Sequence, residues 1–140
     1  MADPNYKRES VTKTTARFMN SIALITTDVR KLAEFYLTVF QAETEINDIH
    51  VDIPVRGGSI VIYAKSAAEK DMGFDFAKYH GTGLVKFSFS VNNVDAEYER
   101  LKSLALDIDF IIPPTTYPWG ARSMHFRDLD GNIVCFLEKK

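Results

Sequence analysis

One cysteine and one tryptophan are all the chain has of those residues, and no apolar stretch in it is long. A single Cys135 cannot close an intrachain disulfide. No hydrophobic run reaches the length of a membrane span or of a signal-peptide core, so the cytoplasm is the expected compartment and no membrane partner is expected. A formal charge of -2 supplies no overall basic surface to displace counterions, which argues against nucleic acid as a partner. Phosphate-binding glycine loops, zinc-finger spacings and a Ser/His/Asp order are all missing. The DLDGN segment at 128–132 is not a calcium loop either. Its first and twelfth ligand positions would be Phe126 and Leu137, where carboxylates are needed.

With 46% hydrophobic residues among 140, the chain can bury one core, and its length points to one domain. Residues 1–17 are polar and without hydrophobic period, and read as a disordered leader; the domain is expected over 18–140. That domain repeats itself. GGSIVIYAK (57–65) resembles DGNIVCFLEK (130–139), with Gly58 over Gly131 and Ile60 over Ile133; SIALITTDV (21–29) lies over KFSFSVNNV (86–94), with Asp28 over Asn93. About eight further residues in the second half fall in PPTTYPWG (113–120), a length that a surface loop tolerates. Each half begins with a strand, at 20–27 and 84–91, ended by Asp28 or Asn93 as a helix N-cap. Val29, Leu32, Ala33, Tyr36, Val39 and Phe40 then recur at helical spacing, as do Val94, Tyr98, Leu101 and Leu104. Three more strands complete each half, at 43–47, 49–55 and 59–65, and at 107–112, 122–127 and 132–138. The reading is an α+β chain of two βαβββ modules, 18–65 and 83–140, joined by a linker at 66–82 that carries a short helical turn.

Alternation within the strands selects their faces. Val85, Phe87, Phe89 and Val91 should meet the helix, leaving Lys86, Ser88 and Ser90 opposite. In the first half Ile22 and Leu24 face the helix, and Ser21, Ala23 and Ile25 do not. Val51, Ile53, Val55, Met124 and Phe126 are read as helix-facing, so His50, Asp52, Ser123, His125 and Arg127 take the other side. In the last strands Val61, Tyr63, Val134 and Phe136 are assigned to the helix side, with Ile62 and Cys135 opposite. Two such sheets with helices on the outer face would pair into one curved mixed sheet around a cleft. Its polar lining suits a ligand site, because unpaired buried charge is costly; the alternative is the solvated side of an open sheet.

MNSIALITTDVRKLAEFY, FSVNNVDAEYERLKSL and above all PWGARSMHFRDLDGNIVCFLE resemble the vicinal-oxygen-chelate superfamily of glyoxalases, bleomycin-resistance proteins and extradiol dioxygenases, over about residues 18–140. The resemblance implies paired βαβββ modules and commonly a homodimer. Metal-dependent members take one ligand from the first and one from the last strand of each module, usually His or Gln and then Glu. The corresponding positions here are Ser21, Ile62, Lys86 and Cys135. An ammonium repels a divalent cation and an isoleucine has no lone pair, so no metal and no cofactor is expected, as in the metal-free bleomycin-resistance branch.

The candidate binding residues each have two readings. Trp119 can stack on a planar ligand or anchor the inserted loop. Arg122 and Arg127 can clasp a carboxylate or phosphate, or be used in structural pairing, Arg127 with Asp128 or Asp130. His125 can move a proton or only pack, and Cys135 is a nucleophile only if Lys86 or His125 activates it. His50 and Asp52, with His125 and Cys135, could form a relocated metal site. The leading expectation is a metal-free protein that sequesters an aromatic or planar small molecule through Lys86, Ser88, Trp119, Arg122, His125, Arg127, His50 and Asp52. The alternative is a lyase or isomerase of a small carbonyl or carboxylate compound, with His125 as base and Lys86 as electrostatic stabiliser.

Overall fold

A computed structural model of the chain describes residues 19–77 and 86–139. The expected leader at 1–17, the end of the linker and Val85 lie outside the described residues. The elements are β1 (Ser21–Thr26), α1 (Val29–Phe40), β2 (His50–Val55), β3 (Gly58–Ala64), α2 (Lys65–Met72), β4 (Lys86–Ser90), α3 (Val94–Ser103), β5 (Asp109–Thr116), β6 (Ala121–Arg127) and β7 (Ile133–Lys139). They form two mixed sheets, ordered β1-β3-β2 and β4-β7-β6-β5. In each, the first strand runs parallel to the last and the last is antiparallel to the one before it. The α+β architecture of two related modules is therefore present. No described helix is long and apolar enough to cross a membrane.

Both helix starts follow from the capping chemistry. Asp28 Oδ1 accepts from Lys31 N at 3.1 Å and Asn93 Oδ1 from Ala96 N at 3.0 Å, satisfying amides that the first turn leaves without partners. The α3 start is further held by Glu138, whose carboxylate accepts from Val94 N at 2.7 Å. The helical stripe of α1 is the heart of the core: Leu32, Ala33, Tyr36 and Val39 are at most 1% exposed.

One expected strand is missing. Residues 43–47 are irregular, so the first sheet has three strands. The segment is rich in Glu, Thr and Asn, and Asn47 Oδ1 takes the amides of both Ile49 and His50 at 2.8 Å, a side-chain turn that starts β2. In the second sheet β5 lies on the edge, where Pro113 and Pro114 and two register shifts against β6 are tolerated. The linker helix α2 is also real, ending at Gly73 with φ of 77°.

The strand registers correct the alignment of the halves by one residue. Ile60 pairs with Ile22 where Val134 pairs with Phe87, so the hairpin counterpart of Gly131 is Gly57 and not Gly58. Gly57 and Gly131 share the left-handed backbone, with φ of 94° and 87°, which only glycine adopts without strain. The faces of β3 are therefore opposite to expectation. Ile60, Ile62 and Ala64 are buried with Leu24, Val51 and Ile53, while Val61 and Tyr63 share the open face with Ala23, His50 and Asp52. Ile62, at 0% exposed, is a core residue and no cleft position.

The helix-facing sides of both sheets contribute to a single core. Phe40 at the end of α1 reaches across to Phe89 and Phe136, with ring centroids 5.0 and 6.2 Å apart. Tyr36 donates its hydroxyl to Asp128 Oδ2 at 2.6 Å, and Arg100 of α3 donates to the Val39 carbonyl at 2.6 Å, close to the C-terminal end of α1. Burial, and next the Asp128 carboxylate, hold the Tyr36 hydroxyl in its protonated form far above the usual phenol range.

Candidate ligand cavity

The open face of the second sheet carries a cavity of about 650 Å³. Lys86 and Ser88 enter it from β4, Ser123 and His125 from β6, and Cys135 and Leu137 from β7, because these positions alternate with the core residues Phe87, Met124, Phe126, Val134 and Phe136. Ile112 of β5 supplies an apolar wall. The loop after β5 supplies an aromatic one. Tyr117 and Trp119 lie in parallel, with centroids 4.9 Å and planes 8° apart, over a turn closed by Gly120 N to the Tyr117 carbonyl at 3.0 Å. Trp119 is 74% exposed, so the turn presents the indole and does not bury it as an anchor.

At the floor, Lys86 Nζ lies 3.3 Å from His125 Nε2. An ammonium has no lone pair, so the imidazole must accept there, and its proton then resides on Nδ1. That Nδ1 is buried and has no hydrogen-bond partner among the described residues. Burial first, and the Lys86 charge second, pull the His125 pKa below its ordinary value, which makes the ring neutral near pH 7. Among the described residues no Asp or Glu lines the cavity. It therefore presents one cation, one neutral imidazole and several hydroxyls, between apolar and aromatic walls.

Of the residues singled out in the sequence, Lys86, Ser88, Trp119, His125 and Cys135 meet in this cavity. Arg122 does not: it makes a bidentate pair with Asp95 at 2.7 and 2.8 Å and also donates to Thr116. Arg127 donates to the Gly131 carbonyl at 2.8 Å and lies 4.0 Å from Asp109, serving the hairpin. His50, Asp52 and Ser21 sit on the open face of the first sheet, and no residue of that sheet lines the cavity. Tyr117, Ile112 and Leu137 were not anticipated. An aromatic pair spaced two apart around a proline was the available signal for Tyr117.

The positions that would hold a divalent ion in a paired arrangement are now Ser21, Val61, Lys86 and Cys135. The corrected register replaces Ile62 with Val61. A hydroxyl, a hydrocarbon, an ammonium and one thiol do not suit a divalent metal. Among the described residues no group of three or more His, Cys, Asp and Glu is arranged to hold a metal ion, and His50 and Asp52 do not join His125 and Cys135 within the chain.

Residues 18–136 match the family model of the Glyoxalase/Bleomycin resistance protein/Dioxygenase superfamily. The chain belongs to this superfamily. Its fold is similar to that of a glyoxalase/bleomycin resistance protein/dioxygenase from Nocardioides, with 21% identity, TM-score 0.73, and 94% of this chain and 89% of that one covered. A glyoxalase-related enzyme from Fulvimarina pelagi matches at 20% identity and TM-score 0.72, covering 89% of each chain. Lactoylglutathione lyase from Agrobacterium tumefaciens matches at 21% identity and TM-score 0.67, covering 89% of this superfamily member and 95% of the lyase. Comparison with curated proteins produced no match.

Proposed function

We propose that this superfamily member binds a planar small molecule with an anionic or strongly hydrogen-bond-accepting end, without a metal ion. The observation that carries the reading is the Lys86–His125 pair, which among the described residues has no carboxylate beside it, in a cavity walled by Tyr117 and Trp119. The cavity volume of about 650 Å³ lies inside the range usual for small-molecule sites. A ligand carboxylate would take the place of the missing counter-charge at Lys86. Its ring would slide against the indole, where an aromatic contact adds about 0.5–1.5 kcal/mol.

Trp119 is the sole tryptophan, so its emission reports directly on this loop. Titration with a panel of planar carboxylates should quench it, and Lys86→Ala should weaken any hit about tenfold or more, as expected for a charge-assisted hydrogen bond. Hits that bind Lys86→Ala, His125→Ala and Trp119→Ala as tightly as the parent chain would remove the proposal.

A second reading is favoured by the neutral imidazole held against an ammonium. Once a substrate oxygen draws Lys86 Nζ away from Nε2, that nitrogen would act as base toward a C–H next to a carbonyl, with Lys86 stabilising the resulting oxyanion, in a lyase or isomerase of a small carbonyl or carboxylate compound. The lyase among the similar structures makes this class worth assaying. Turnover that survives His125→Ala with the fold intact would eliminate that mechanism.

A further inference from the structure

The two modules do not close completely on one another. Between them runs a crevice of about 510 Å³, walled by Phe40 and Ala42 at the end of α1, Pro54 and Val55 of β2, and Phe89 and Val91 in and just after β4. It opens into a narrower slot of about 250 Å³ between Ile22, Leu24, Ile60 and Phe87. The two spaces share Val55, Arg56, Ser88 and Phe89, so they form one continuous crevice with Arg56 at the joint. Strand alternation explains its apolar walls: Ile22, Val55, Phe87 and Phe89 are helix-facing positions that pack against the core and stay partly open. The crevice is therefore distinct from the cavity on the open face of the second sheet, with which it shares only Lys86 and Ser88 of the edge strand β4.

Its charges are unbalanced. Arg56, in the turn between β2 and β3, lines both parts and makes no hydrogen bond or ion pair among the described residues. Arg100 of α3 donates from Nε and Nη2 to Glu97 and from Nη2 to the Val39 carbonyl, while its Nη1 is buried and has no hydrogen-bond partner among the described residues. Unmet donors on a guanidinium are costly, so this corner is short of an acceptor. The Arg100 side chain is 23% exposed, which lets the guanidinium turn Nη1 toward the crevice. Against two guanidinium groups the wall sets one carboxylate, Glu97, already committed to Arg100. Among the described residues no Asp or Glu lines the slot, and Lys86 adds a further cation there.

We propose that this crevice is a second ligand site, which takes a small aliphatic carboxylate. The carboxylate lies between Arg56 and Arg100, whose planar forks match it in shape and charge. The hydrocarbon chain enters the slot between Ile22, Leu24 and Phe87, which is too small for a drug-sized ring system and is walled mainly by hydrocarbon. Arg56 and Ile22 belong to the first module, Arg100 and Phe87 to the second, so the ligand bridges them. Binding to the folded chain alone then stabilises the contact between the modules.

Octanoate, butyrate and octanol are the probes, titrated into the full chain by calorimetry and followed by backbone amide shifts in NMR spectra. Octanoate should bind saturably, move the amides of Arg56, Gly57, Phe89 and Arg100, and raise Tm. Its longer buried chain should make it about tenfold or more tighter than butyrate. Octanol, which lacks the charge, should bind about tenfold or more weakly than octanoate. Arg56→Glu, in an exposed turn and shown to be folded by circular dichroism, should weaken octanoate about tenfold or more, and Arg56→Gln should fall between it and the parent chain. Octanoate that fails to bind, or that moves only amides around Ser123 and His125, would overturn the proposal. So would octanoate that binds Arg56→Glu as tightly as the parent chain, or octanol that binds as tightly as octanoate.

Discussion

Replacing Tyr36 with Phe isolates one of the contacts that tie α1 to the second module. The substitution keeps the ring in its packed site, so no large cavity opens, and it removes only the 2.6 Å hydrogen bond to Asp128. Hydrogen bonds to charged groups contribute about 1.5–3 kcal/mol. Asp128 keeps three other donors, the amides of Asp130 and Asn132 and the Asn132 side chain, so the cost should fall near the lower end, about 1.5–2 kcal/mol. For a chain of this size that is a fall in Tm of about 5–8 °C. The pH dependence gives a second readout. Tyr36 has a pKa raised in the folded state above the ordinary 10.0 of the unfolded chain, so its stabilisation is complete below pH 10 and is lost as pH rises beyond it. The parent chain should lose about 1.4 kcal/mol per pH unit there through Tyr36 alone. Tyr36→Phe lacks that loss, and the other tyrosines titrate in both chains. Urea unfolding at pH 7.5 and pH 11 should therefore show a gap that narrows or reverses at the higher pH. A gap below about 0.5 kcal/mol at pH 7.5, or one that does not change with pH, would refute the reasoning.

His125 has a pKa lowered in the folded state, so stability should be complete above about pH 6.5 and fall as the medium is acidified below it. His125→Gln should flatten that acid limb in urea titrations. Lys86→Met should raise the His125 pKa, read from its imidazole proton shifts by NMR. Gly57→Ala and Gly131→Ala should each lower stability by about 1 kcal/mol in thermal unfolding, because both require positive φ. Arg122→Ala should leave ligand affinity unchanged, measured by the same tryptophan titration, since its partly exposed pair with Asp95 lies outside the cavity. Elemental analysis after purification without chelator should find no stoichiometric transition metal.

Much was legible in the chain because it depends on local pattern. The helices were written in the spacing of Val29, Leu32, Tyr36 and Val39 and in the caps Asp28 and Asn93, and the face of β4 in the alternation of Lys86, Phe87, Ser88 and Phe89. The face of β3 was not legible. GSIVIYA is apolar at nearly every position, so alternation has no contrast to read, and a one-residue error in the alignment of two glycines inverted every assignment. The strand expected at 43–47 failed because its one apolar residue, Ile46, competes with an Asn47 turn that uses local amides.

The sequence by itself thus determined the two-module pattern and the collection of Lys86, Ser88, His125 and Cys135 on one face, since each follows from spacing along the chain. Tertiary structure alone decided that Arg122 and Arg127 turn to aspartates and a hairpin carbonyl, that Tyr117 backs Trp119, and that Ile62 belongs to the core. It also decided that the helix sides of both sheets share one core. That choice is energetic: Phe40, Phe89 and Phe136 lose more contact with water by packing together than two polar sheet faces could gain by closing on each other.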